Sequence, residues 1–118
     1  MQLSSCTILV VDDEPPILRM LGRVLSGAGY ELVTATDAEE ALELVDEKRP
    51  DIVISDIRLP RMSGIELTSE IRKRLPGVRV LLISAYQEPA GHDADAFIAK
   101  PFDNDYLIER VEDLVNAT

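Results

Sequence analysis

The chain has 118 residues, 46% hydrophobic and 29% charged, which fits one soluble domain with its own core. A formal net charge of −10 argues against a DNA-binding face or an anionic-membrane anchor, and no apolar run approaches the ~20 residues of a membrane span. Met1 to Thr7 carries no export signal, and the single cysteine, Cys6, allows neither an internal disulfide nor a Cys/His zinc site, so a reducing cytoplasm is the expected compartment.

Strands and helices alternate along the chain. Thr7 to Val11 is a short branched apolar run, as expected for a strand buried on both faces. Pro15 and Pro16 fit only a helix start, and Ile17, Met20, Leu21, Val24 and Leu25 follow at helical spacing until Gly27 and Gly29. Glu31 to Ala35 is a second strand. Asp37 and Glu40 form a capping-box pattern ahead of the stripe Ala38, Ala41, Leu42 and Val45, which Pro50 stops.

Ile52 to Ser55 is a third strand, followed by a loop containing Pro60. Ser63 and Glu66 form a second capping box, opening a helix with Leu67, Ile71 and Leu75 on one face. Gly64 serves the turn into that helix. Pro76-Gly77 is a turn, Val78 to Ile83 a fourth strand and Ala96 to Ala99 a fifth. Asp103 caps a last helix with Leu107, Val111, Leu114 and Val115 inward. The pattern predicts one α/β domain over residues 1–118, with right-handed crossovers and a mostly parallel sheet covered on both faces. The residues after the last helix are too few for an effector domain, which fits either a stand-alone protein or a domain cut from a longer one.

Charge is uneven along the chain. Glu31 to Ile57 carries nine acids and two bases, whereas Arg58 to Arg79 carries six bases and two acids. Two solvated surfaces are the ordinary meaning of such runs. A basic flank beside an anion site or an acidic partner is the alternative.

Ligands of parallel α/β sheets sit outside the carboxyl ends of the strands. The residues there are Asp12, Asp13 and Glu14 after the first strand, Asp56 after the third, Ser84 at the end of the fourth and Lys100 after the fifth. Two carboxylates about 5 Å apart repel by roughly 3 kcal/mol at an effective dielectric near 20. Such a group must bind a cation, take up a proton or be held apart. Oxygen-only donors suit Mg²⁺, with Mn²⁺ as a substitute. Taken singly, each residue has a plainer role: the acids as helix caps, Ser84 as a strand terminator, Phe97 as core and His92 as a solvated loop residue.

The runs I-L-V-V-D-D-E at 8–14, D-I-V-I-S-D-I-R-L-P at 51–60, L-L-I-S-A at 81–85 and A-K-P-F at 99–102 resemble the receiver domain of two-component response regulators. The resemblance covers nearly the whole chain and implies a doubly wound, flavodoxin-like sheet of five parallel strands in the order 2-1-3-4-5. It implies that Asp56 accepts a phosphoryl group from a partner histidine kinase or phosphotransfer protein. Asp13, Asp56 and the main-chain carbonyl of Arg58 would bind Mg²⁺, with Asp12 holding its water shell. Lys100 and Ser84 would contact the phosphoryl oxygens, Phe97 would be an aromatic rotamer switch, and Lys100-Pro101 would be a cis peptide. The output partner is open, and a homodimer is compatible with the pattern.

Sixteen positions separate Ser84 from Lys100, about six fewer than the family's usual spacing, roughly one and a half helical turns. Ala85 to Asp95 contains Pro89 and Gly91 and lacks a helical stripe, so the helix normally between the fourth and fifth strands is expected to be shortened or absent. Two other functions compete with a phosphorylated switch. One is a receiver-like interaction module independent of phosphorylation. The other is an aspartate-nucleophile phosphohydrolase, which needs a second acid two residues after the nucleophile, where this chain has Arg58. The chain is therefore expected to catalyse only its own phosphoryl transfer and dephosphorylation.

Overall fold

Short runs of branched apolar residues pair into one sheet. The computed structural model describes residues 6–85 and 91–116. Within them lie strands β1 (Thr7–Val11), β2 (Glu31–Ala35), β3 (Ile52–Asp56), β4 (Arg79–Ser84) and β5 (Ala96–Ala99). Four helices connect or follow them: α1 (Pro15–Gly27), α2 (Ala38–Lys48), α3 (Gly64–Arg74) and α4 (Asn104–Asn116). All strand pairings are parallel, in the order β2-β1-β3-β4-β5, the doubly wound topology expected from the sequence.

The two-residue period of the strands sorts their side chains into two cores. Ile8, Val10, Ile52, Ile54, Leu81, Ile83 and Ile98 face one side, against Leu21 and Leu25 of α1 and Leu107 and Val111 of α4. Leu9, Val11, Val53, Val80 and Leu82 face the other, against Ala41 and Val45 of α2 and Leu67 and Ile71 of α3. Each fully buried Leu or Ile contributes about 1.5–3 kcal/mol. A one-residue slip of any central strand would exchange the two layers, so register is strongly specified.

Caps and turns set the element ends. Pro15 and Pro16 occupy the opening of α1, where the Glu14 carbonyl accepts the N–H groups of Ile17 and Leu18. Ser63 and Glu66 close a full capping box at α3. At α2 the Asp37 carboxylate accepts the Glu40 N–H, but the Glu40 carboxylate reaches past the cap to the Thr36 N–H at 2.9 Å, so the reciprocal half of the expected box is absent. As expected, the helix stops before Pro50: Lys48 is its last residue and Arg49 its C-cap, left-handed at φ 47°. The right-handed α conformation is disfavoured immediately before a proline, which fits that end. Asp103 caps α4 by accepting the Tyr106 N–H at 2.8 Å.

Three expectations shift in detail. Val78 belongs to the turn, its N–H bonded to the Leu75 carbonyl, and β4 starts at Arg79. β3 runs one residue further than expected, so Asp56 is its last residue, paired with Ile83. The charged side chains of the acidic and basic stretches are largely solvent-exposed but meet rather than lie apart: Arg61 meets Asp37 and Glu39, and Arg74 meets Asp46. The Ala85–Asp95 expectation lies partly on residues 86–90, outside the described residues; Ala85 and Gly91–Asp95 are not helical, and the described residues hold no helix between β4 and β5.

Candidate functional site

Parallel pairing brings the carboxyl ends of β1, β3, β4 and β5 to one edge. Asp12 follows β1 directly, its N–H bonded to the Ala35 carbonyl at 3.1 Å and its Oδ1 accepting the Glu14 N–H at 2.9 Å. Those bonds hold a nearly inaccessible carboxylate. Asp56 is likewise buried; its Oδ1 accepts the Arg58 N–H at 3.0 Å. Its Oδ2 lies 3.2 Å from Lys100 Nζ, which also stands 3.6 Å from Asp12 Oδ2. Asp13 is exposed beside them, and one oxygen from each of Asp12, Asp13 and Asp56 falls within 4.8 Å of the other two.

The electrostatics explain what such a cluster needs. Burial pushes the Asp12 carboxyl up; the Asp56 and Glu14 charges add to that, and the Glu14 N–H and Lys100 oppose it. Burial would lower the Lys100 ammonium, but the Asp56 hydrogen bond and the charges of Asp12, Asp56 and Glu14 outweigh it and hold the ammonium above its ordinary value. Three carboxylates face one ammonium, so a single divalent cation would balance the group. The donors are hard oxygens only, with exposed Asp13 leaving the group open to solvent, as Mg²⁺ prefers.

The remaining predicted residues fall as follows. Ser84 is buried at the end of β4, one position beyond the partner of Asp56, and its carbonyl accepts the Lys100 N–H at 2.8 Å. Arg58 is tied to the site by its main-chain N–H on Asp56. Phe97 lies on β5, partly buried against the α2/α3 core. Lys100-Pro101 is cis. His92 does more than face solvent: its Nδ1 accepts the Ala94 N–H at 3.2 Å.

Sequence reasoning assigned Gly64 only a turn. The structure packs the first turn of α3 onto the strand end that carries Asp56. A Cβ at residue 64 would collide with the Asp56 carbonyl oxygen and lie 3.0 Å from Ile57 Cα, while the Gly64 N–H bonds to the Ile57 carbonyl at 2.8 Å. The available signal was a glycine straight after a capping serine, where helix propensity disfavours it.

Comparison with known proteins agrees with this geometry. A family model described as the response regulator receiver domain matches residues 8–112. The chain is 36% identical to the transcriptional regulatory protein GlrR of Escherichia coli over 116 residues, covering 90% of this chain and 25% of that protein. It spans a quarter to about half the length of such curated relatives. Among solved structures, TrrA of Thermotoga maritima in complex with Mg²⁺ and BeF is similar with a TM-score of 0.85 and 40% identity, over 92% of this chain and 98% of that one. TrrA in complex with the histidine kinase ThkA is similar with a TM-score of 0.84 and 39% identity, over 94% and 99%. A flavodoxin-like sheet with an acidic triad and a lysine at its carboxyl edge is thus found in a chain that belongs to the response regulator receiver domain family, the phosphoacceptor switches of two-component signalling.

Proposed function

We propose that Asp56 is the phosphoacceptor, supplied by a partner histidine kinase or phosphotransfer protein. One observation carries the assignment: the Asp56 carboxylate sits 3.2 Å from Lys100 Nζ, with Asp12 and Asp13 gathered beside it. A carboxylate oxygen attacks phosphorus as the donor's P–N or P–O bond breaks, leaving an acyl phosphate on Asp56. Lys100 neutralises charge on the transferring group and is held for that by its bonds to Asp56 and to the Ser84 carbonyl. Asp13, Asp56 and the Arg58 carbonyl would hold Mg²⁺, or Mn²⁺ in its place, with Asp12 orienting its water; the cation supplies further charge neutralisation. Ser84 would hydrogen-bond the new phosphoryl oxygens, and Phe97 would follow it as a rotamer switch.

The chain would catalyse no reaction besides its own phosphorylation and dephosphorylation, since Arg58 occupies the place a hydrolase needs for a general acid. The kinase partner is supported by the likeness to TrrA, which is solved bound to ThkA. The net charge of −10 supports the absence of direct nucleic-acid binding. Among the described residues no helix is long and apolar enough to cross a membrane, and cytoplasmic residence belongs to the same proposal.

The test is intact mass after incubation with Mg²⁺ and acetyl phosphate. One labile added phosphate is expected, abolished by Asp56→Asn and by chelation of the metal. An adduct that survives Asp56→Asn at full level would overturn the assignment.

A further inference from the structure

Lys100 follows the shortest strand of the sheet. β5 has four residues and, among the described residues, pairs only with β4, at the sheet edge. The described residues of the connection before it hold no helix. A slip of two residues along that ladder would displace the Lys100 backbone by about 6.6 Å along the strand, away from the position that gives its present 3.2 Å contact with Asp56.

Asp95, immediately ahead of β5, meets Val80 twice. Its N–H donates to the Val80 carbonyl at 2.9 Å, and its Oδ2 accepts the Val80 N–H at 2.8 Å. The same Oδ2 lies 2.8 Å from Arg72 Nη2. Arg72 also donates through Nε and Nη2 to the Asp93 carbonyl at 3.0 and 2.7 Å, and through Nη1 to the Val78 carbonyl at 3.1 Å. One guanidinium therefore joins the approaches to β4 and β5, and its planar fork is what lets it serve several acceptors at once. The pair is partly shielded, with side chains 26% and 25% exposed. Arg79 stands 4.0 Å from the other Asp95 oxygen.

Arg72 stands on α3, whose opening residue, Gly64, is packed against the Asp56 carbonyl. Eight helical residues, about 12 Å, separate those two points. The helix thus spans from the acceptor strand to the entrance of the lysine strand.

We propose that Arg72 and Asp95 are positioning residues that set the register of β5 and thereby bring the Lys100 ammonium to the phosphoryl site. The proposal rests on the reading of Asp56 and Lys100 given above. Neither residue touches the transferring group; both act through Lys100.

The test compares the wild type with Arg72→Met, Asp95→Asn, Lys100→Met and the double variant Arg72→Met/Lys100→Met, all as the full chain and below their melting temperatures. Mg²⁺ affinity is measured alone by calorimetry, and the loading rate by intact mass with acetyl phosphate. Arg72→Met is expected to keep its Mg²⁺ affinity but to load roughly ten- to a hundredfold more slowly, the loss expected of ångström-scale misplacement. Asp95→Asn, which keeps an acceptor for the Val80 N–H, loses less. In the double variant the Arg72 change adds no further loss, because its effect passes through Lys100; independent effects would add. Wild-type loading by both Arg72→Met and Asp95→Asn, equal loss of Mg²⁺ affinity and loading, or full additivity overturns the proposal. Lys100→Met loading at the wild-type rate would instead overturn the phosphoacceptor reading beneath it. If Arg72→Met does not fold, Asp95→Asn alone decides.

Discussion

Two connections deliver the two key groups of the site, and they are held by different physics. After β3 the chain is pinned by close backbone packing: Gly64 against the Asp56 carbonyl, with the Gly64 N–H on Ile57 and a full capping box at Ser63. Before β5 it is pinned by charge, through Arg72, which reaches the Asp93 carbonyl and the Asp95 carboxylate 21 and 23 positions away in sequence. Packing contacts hardly respond to salt or pH, whereas ion pairs do. The acceptor side of the site is therefore rigid by shape, and the lysine side by electrostatics that solution conditions can loosen.

The largest effect is expected from the packed side. Gly64→Ala forces a methyl group into the Asp56 carbonyl, and overpacking of this kind costs about 1–3 kcal/mol. Because the strand end itself must shift, Mg²⁺ affinity and phosphoryl loading should fall together, unlike the split expected of Arg72→Met. Urea melts and Mg²⁺ titration check this; a Gly64→Ala protein with wild-type affinity would show that the contact is slack. A smaller effect tests whether the cap or the contact matters to the site. Ser63→Ala removes the side-chain acceptor of the Glu66 N–H and should lower stability by about 1 kcal/mol, while the folded fraction loads normally.

The same division explains what was legible in the sequence. Strand and helix ends governed by local chemistry, such as Pro15-Pro16, Ser63–Glu66 and Asp103, were readable within a residue or two. Asp12, Asp13, Asp56, Ser84 and Lys100 were readable as a set because parallel strands must deliver their carboxyl ends to one edge. The Gly64 contact was hidden, since it depends on how closely α3 approaches β3. The Arg72–Asp95 pair was hidden because nothing local marks two charges so far apart as partners. The basic stretch at 58–79 was visible, but its purpose was not: Arg61, Arg72 and Arg74 face acids of neighbouring elements.

The smallest predicted effect isolates the charged side. Burial works against the Asp95 carboxylate, but the Val80 N–H and the Arg72 hydrogen bond, with the charges of Arg72 and Arg79, hold it below the ordinary aspartate value of 3.8. A carboxyl lowered by folding adds stability that is complete well above its unfolded value and is lost as pH falls through that value and the lower folded one. Acidification from neutral pH into and below the ordinary carboxylate range should therefore remove this contribution from the wild type, whereas Asp95→Asn has none to lose. The contribution itself should be below about 1 kcal/mol, as for solvent-screened pairs. Urea midpoints of the two proteins should differ at neutral pH and converge in acid, with the other carboxylates cancelling in the comparison. A gap that stays constant with pH would mean that Asp95 acts through shape alone, and the contrast between the two connections would lose its electrostatic half.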